Sequence, residues 1–284
     1  MQLTNRLNLP LPIVRAVEHD TYHQDGHISV TGLIQPPRIR QLTTRHRDVI
    51  TVDVADRIFP LIGNNTHYIL ERAKVDNALQ EERLTIEVNG WKVTGQPDLY
   101  WNKTVYDFKV TSVWSVLNGV KPEWTIQENL YTHLLRSYKF TVEYLAIIAI
   151  LRDWSRHQVT KSSNYPSTQA VILPVALWEP EQTEAYLHER VAVHQAAETM
   201  TDDELPICTA EERWEKPTTY AVKKRGNKRA QRVLPSMAEA EVWARDNMID
   251  KPFIIEQRPG ESVRCRHYCE VSEICGLFQE EGGE

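Results

Sequence analysis

Residues 83–110 restrict the fold more than any other part of the chain. Arg83-Leu-Thr-Ile-Glu-Val alternates apolar and polar residues, the pattern of a half-buried strand. Two further extended runs, 91–101 and 104–110, lie either side of Asn102-Lys103. Strands around a short polar turn read as a β-hairpin. Side chains alternate along a strand, so Asp107 and Lys109 project from one face while Tyr106, Phe108 and Val110 turn to the apolar side. Asp98 lies on the paired run, near enough to reach the same spot. Gly95 and Pro97 shape the entry just before it.

The rest of the chain supplies layers for such a hairpin. A helical segment is expected over 54–79, divided or kinked by Pro60 and Gly63, with Ile62, Tyr68 and Leu70 making apolar contacts. The double proline at 36–37 forbids a continuous helix there. Trp124, Gln127, Tyr131, Leu134 and Tyr138 recur at spacings of three and four, which puts them on one face of a helix over 123–137, with Pro122 at its start. Residues 141–151 and 169–177 read as buried strands, and 181–200 as a long helix introduced by Pro180. This order predicts an α/β fold: a central mixed β-sheet flanked by helices over 28–204, preceded by an irregular arm over 1–27. Residues 205–284 are expected to form a basic finger and a cysteine-clipped segment packed on that core.

The chain has 284 residues, 41% of them hydrophobic and 25% charged, which suits a globular protein rather than a disordered one. Its strongest apolar run, 144–151, is far short of the ~20 residues a membrane helix needs. Pro10, Pro12 and Arg15 interrupt the first apolar stretch, so no signal peptide is expected, and a cytoplasmic, reducing setting is. A net charge of −6 argues against a histone-like coating protein but leaves room for a local basic groove.

Three clusters carry chemistry. Asp98, Asp107 and Lys109 form a demanding group: the acids suit Mg²⁺ or Mn²⁺, and the amine suits a water or a developing negative charge. Asp-x-Lys alone is equally a surface salt bridge. Second, Cys208, Cys265, Cys269 and Cys275 all lie in the C-terminal part, three of them as C-x₃-C-x₅-C. Disulfides suit a reducing compartment poorly. Zinc usually takes two short cysteine pairs, and only one is present. An iron–sulfur cluster takes four thiolates. Third, 213–232 holds eight Lys and Arg against one Glu, with a turn at Gly226-Asn227. A two-stranded basic finger there would offer Lys223, Lys224, Arg225, Lys228 and Arg229 to a phosphate backbone, or be simply a solvated hairpin. Trp214 and Tyr220 are candidates to stack on unpaired bases. Arg38, Arg40, Arg45 and Arg47 are candidates for a second basic wall, and a helix is expected over 237–247.

Four motifs in order resemble the PD-(D/E)xK nuclease superfamily in its RecB-type branch: Gly63-Asn-Asn-Thr-His67, Gly95-Gln-Pro-Asp98, Asp107-Phe-Lys109 and Gln127-Glu-Asn-Leu-Tyr131. The resemblance implies a restriction-endonuclease-like core and a divalent-metal-dependent deoxyribonuclease. His67, Asp98, Asp107 and the Phe108 carbonyl would be metal ligands. Lys109 would be the catalytic lysine, Gln127 and Tyr131 would position either Lys109 or the DNA backbone, and Glu71 would stand behind His67. It also implies a [4Fe–4S] cluster on the four cysteines, clipping the C-terminal segment to the core, although the first gap of three residues and the late position of Cys208 depart from many relatives. The stretches around Ser29–Arg40 and Leu205–Trp214 are similar to stand-alone phage-encoded exonucleases. The similarity implies action on DNA ends or single strands for recombination, repair or replication in the bacterial cytoplasm, with a single-strand annealing protein or a helicase as partner. The competing expectations are a catalytically silent nuclease fold kept as a DNA-binding adaptor or decoy, and a zinc-stapled regulator. Oligomeric state and cleavage polarity are not encoded in any of these motifs.

Overall fold

The computed structural model describes residues 1–18, 27–249, 251–276 and 278; part of the expected N-terminal arm, 19–26, and the end of the C-terminal segment lie outside the described residues. The protein is α/β. A five-stranded mixed sheet runs in the order Ala170–Val175, Tyr144–Leu151, Thr104–Thr111, Leu99–Trp101, Leu79–Gln80. Its two long central strands, 104–111 and 144–151, are parallel, and the other neighbours are antiparallel.

The hairpin closes where the sequence places it. Leu99 pairs with Tyr106 and Trp101 with Thr104, around Asn102 and Lys103, both at positive φ (47° and 58°). This is the left-handed pair that a two-residue turn between twisted strands demands. The run 91–101, however, is two strands. Trp91–Gly95 leaves for a separate three-stranded sheet with Leu84–Val88 and His27–Ser29, and the chain breaks at Gln96-Pro97-Asp98. Pro97 has no N–H to continue a ladder, which explains the break.

Helix Pro122–Ser137 fills the space between these two sheets. Trp124, Leu130, Tyr131, Leu134 and Leu135 join the main core with Val93, Val105, Leu145 and Ile147. Gly95 makes the close approach possible: a Cβ there would strike Leu134 Cδ1 and lie 3.0 Å from the Tyr131 ring. Helix Pro180–Thr199 covers the outside through Leu187 and Val191.

Elsewhere the structure corrects the sequence reading. Residues 1–18 are not irregular: Gln2–Thr4 pairs in parallel with Thr51–Asp53, and Leu11–Glu18 is a helix. Helix Ile58–Arg72 stops well before residue 79 and has no fully buried residue; Ile62 and Tyr68 are exposed. Pro60 does not break it, since it lies in the first turn, where an N–H has no helical partner to lose. The finger, Thr219–Lys224 with Ala230–Leu234, gains a third strand, Phe253–Arg258. Helix Met237–Asn247 closes it over a small core of Val222, Ala240, Ala244 and Met248.

A candidate metal and catalytic site at the hairpin

One residue beyond the last pair, Leu99 with Tyr106, the ladder register sets Asp98 opposite Asp107. Opposed residues of an antiparallel pair share a face, and Lys109, two residues on, shares it too. The Phe108 N–H donates to Asp98 Oδ2 at 2.6 Å, so the backbone fixes the first acid across the hairpin. His67 reaches this face from helix Ile58–Arg72. Its Nδ1 lies 3.4 Å from Asp98 Oδ1 and 3.3 Å from Glu81 Oε1.

Glu81 was not expected from the sequence. It sits beyond the short strand Leu79–Gln80 at a φ of 51°, and its N–H donates to the Asp98 carbonyl. Gln96 Nε2 donates to its other oxygen at 3.0 Å. His67, Glu81 and Asp98 therefore present three ligand atoms within 4.8 Å of one another. Their charge balance points to a cation. The hydrogen bond to Asp98, followed by that to Glu81, holds the imidazole pKa up to about 10 against the opposing effect of burial. A spot that keeps a proton so firmly is one where two carboxylates already stabilise positive charge. The donor set, one imidazole and two carboxylates, fits a hard divalent ion. Glu71 is not part of this group.

Asp107 faces a different set of partners. It is 1% exposed, and Oδ1 accepts from Lys109 Nζ and from Gln127 Nε2, both at 2.8 Å. Oδ2 lies 2.7 Å from the same Nζ but receives no well-directed hydrogen bond. Burial raises the Asp107 pKa to about 6 although Lys109 pulls it down. Burial works against the Lys109 ammonium, yet the charge and hydrogen bond of Asp107 outweigh it and the net shift is upward. Gln127 also accepts from Lys109 and approaches the Tyr131 hydroxyl at 3.3 Å, so it ties amine, acid and phenol together. Burial lifts the Tyr131 pKa well above its ordinary value, so the hydroxyl stays protonated. Glu128, one residue after Gln127, is fully buried with neither carboxylate oxygen hydrogen-bonded, and burial raises its pKa strongly. It was not anticipated; a buried acid one helical step from a motif residue carries no periodicity of its own.

Cys208 and the three cysteines that follow it 57–67 residues later meet in one pocket with Arg38 and Arg264 on its wall. None of the four is in a disulfide. Cys275 Sγ accepts from Arg38 Nε at 3.3 Å, and Arg38 Nη1 holds the Leu205 carbonyl at 2.8 Å. Burial, then Glu212 and the neighbouring thiols, push Cys208 up to about 12. Val271 and Leu205 beside the thiols join Ile39, Leu42 and Ile50 in a second core, so this segment is packed onto the N-terminal helices.

The basic residues divide. Lys224, Arg225, Lys228 and Arg229 stand exposed around the Gly226 turn, whereas Lys223 is drawn against Glu256 of the third strand and is not available in the same way. The expected second wall is not one: Arg38 is buried at the thiols, Arg40 lies over Trp91 and near Glu198, and Arg45 pairs with Asp202. Tyr220 packs against the small finger core, while Trp214 lies against Tyr268, ring centroids 5.4 Å apart, at the surface.

No family model matches the chain, and no curated protein matches it. Among solved structures, one described as "Crystal structure of SSO0001" aligns with 64% of this chain and 84% of its own, at 18% identity and a TM-score of 0.45. No helix among the described residues is long and apolar enough to cross a membrane.

Proposed function

We propose that this chain is a divalent-metal-dependent deoxyribonuclease that hydrolyses DNA phosphodiesters, working from DNA ends in recombination, repair or replication. The observation that carries the reading is the pairing of a cation-holding group, His67–Glu81–Asp98, with a buried Asp107–Lys109–Gln127 unit on the same hairpin face. An isolated salt bridge would explain Asp107 and Lys109. It would not explain why a histidine from a helix and an acid just past a separate strand converge beside them.

His67, Glu81 and Asp98 would hold Mg²⁺ or Mn²⁺; Asp107, expected as a ligand, lies outside that group and is engaged by Lys109 and Gln127. When bound, such an ion supplies Lewis-acid stabilisation of the scissile phosphate and lowers the pKa of water. The protein's own groups do the rest. The Phe108 N–H keeps Asp98 aimed at the site. Gln127 holds Asp107 and Lys109 in one arrangement, so no reorganisation is needed as charge develops. The Lys109 ammonium sits where it can neutralise a non-bridging phosphate oxygen or orient water in line. Lys224, Arg225, Lys228 and Arg229 give the acidic chain a local backbone contact.

The thiol pocket is proposed to hold a [4Fe–4S] cluster. Arginines on its wall suit the negative charge that four thiolates and a cluster carry. The role is structural, holding the end of the chain on the core beside Ile39 and Leu42.

The decisive experiment is digestion of end-labelled linear, nicked and circular DNA with Mg²⁺ or Mn²⁺. Loss of label from linear DNA alone supports an exonuclease. DNA binding without cleavage under every metal would favour the silent adaptor.

A further inference from the structure

Trp114 is mounted for contact with something outside the chain. The 3₁₀ turn Val113–Ser115 follows the catalytic strand directly, and its flanks are locked into the main core: Val113 is 1% exposed and Val116 7%. The Val113 N–H donates to Asp153 Oδ1 at 2.7 Å, and Val116 closes the turn onto the Val113 carbonyl. Between these anchors the indole is 74% exposed. Folding gains nothing from an indole held in water, and the rigid turn prevents it from collapsing onto the surface.

A second aromatic ring stands at the same corner. The Arg152 N–H donates to the Thr111 carbonyl, and its guanidinium lies 4.0 Å from the centroid of the Phe59 ring, which is 58% exposed. Among the described residues no carboxylate pairs with Arg152, so its charge is left for another partner. Phe59 is in the first turn of the helix that carries His67 near its other end. Eight residues at 1.5 Å rise set Phe59 about 12 Å along the helix axis from His67. Asp107 and Thr111, four residues apart on the strand, are separated by about 13 Å. Helix and strand are in contact with each other. Along both helix and strand, the aromatic corner is therefore set off from the candidate metal group by roughly 12–13 Å.

We infer that Trp114, Phe59 and Arg152 form a stacking rim for unpaired nucleobases, so that the substrate strand enters the site single-stranded. A flat π-face matches a base, and a guanidinium without a carboxylate partner matches the adjoining phosphate. Bases inside a duplex have their faces already covered by neighbours. Only a single strand or a frayed end can offer one to an indole. The inference deepens the nuclease reading and rests on it for the word substrate, but its test needs no hydrolysis.

The test is fluorescence anisotropy of the full chain with a labelled oligo(dT) strand in EDTA, which prevents cleavage. Trp114→Ala is expected to weaken binding about tenfold, and Trp114→Phe to recover most of it. The wild-type protein is expected to lose a similar factor on an abasic strand of equal length, on which Trp114→Ala has no further effect. Both variants alter an exposed side chain, and circular dichroism checks that they fold. Equal binding of oligo(dT) by Trp114→Ala and wild type would overturn the proposal. So would an equal loss on abasic and normal strands, or a change in sedimentation that assigns the indole to contact between copies of this chain. If binding depends on Trp114 while no metal supports cleavage, the rim stands and the nuclease reading fails.

Discussion

His67 and Glu81, on different elements and fourteen residues apart, meet with Nδ1 3.3 Å from Oε1. Glu81 thereby completes a donor group of which the motifs supply only His67 and Asp98. Glu81→Gln keeps the shape and the acceptor for Gln96 but removes a negative ligand. It is expected to weaken Mn²⁺ binding about 10-fold or more, measured by calorimetry on the purified chain, with the melting temperature nearly unchanged. Unaltered Mn²⁺ affinity would remove Glu81 from the site.

Gln127 touches Asp107, Lys109 and Tyr131 at once, so it is a positioning residue for the pair. Gln127→Ala should lower kcat by roughly 10²-fold or more, with KM for DNA changed far less. Gln127→Glu should also raise the pH at which activity appears, because a second acid then competes for the Lys109 charge. A loss confined to KM would assign Gln127 to DNA binding instead.

The hairpin, its turn, the long helices and the placing of Asp98, Asp107 and Lys109 on one face were legible because strand alternation and helical spacing are local rules. What was not legible is what depends on chain reversal. Glu81 lies in a polar run, Gln80-Glu-Glu-Arg, where its left-handed backbone, not its identity, aims it at His67. The third strand of the finger was hidden because Phe253-Ile-Ile-Glu-Gln-Arg is only partly alternating and pairs across an intervening helix. Arg38 and Arg45 looked like a surface wall by composition. Their carbonyl, thiol and carboxylate partners come from residues more than 150 positions away.

Gly95 is held to its type by the helix above it. In Gly95→Ala the added methyl meets Leu134 and Tyr131, both in the buried core. Destabilisation of about 1–3 kcal/mol is expected, read as a lower urea midpoint, together with reduced activity because Asp98 follows three residues later. A stability equal to wild type would mean that helix Pro122–Ser137 shifts more freely than its packing suggests.

The buried His194 gives a pH signature. Its Nε2 hydrogen-bonds the Leu33 carbonyl, and burial, with Arg190 and Arg40 nearby, lowers its pKa from 6.5 to about 4. The unfolded chain therefore takes up this proton first as pH falls. The stability His194 permits is complete above pH 6.5 and declines toward pH 4, where the native protein also protonates. Thermal melts between these values should show a falling midpoint, with a shallower slope in His194→Gln. An identical slope in the variant would place the acid sensitivity elsewhere.

If the thiol pocket carries a cluster, Cys275→Ser should abolish both the brown colour and the protection of the C-terminal segment against limited proteolysis. The core, from Thr104–Thr111 to Pro180–Thr199, should remain folded. Stoichiometric zinc and no iron in the protein purified without oxygen would replace the cluster by a zinc staple.

The most direct test of the account is cleavage of end-labelled linear DNA in Mg²⁺ or Mn²⁺ by wild-type protein and by Asp107→Asn and Lys109→Ala. The account predicts metal-dependent release of label by the wild type, abolished by EDTA and lost in both variants while DNA binding persists. Cleavage by either variant at the wild-type rate, or none by the wild-type protein with any divalent metal, would contradict it.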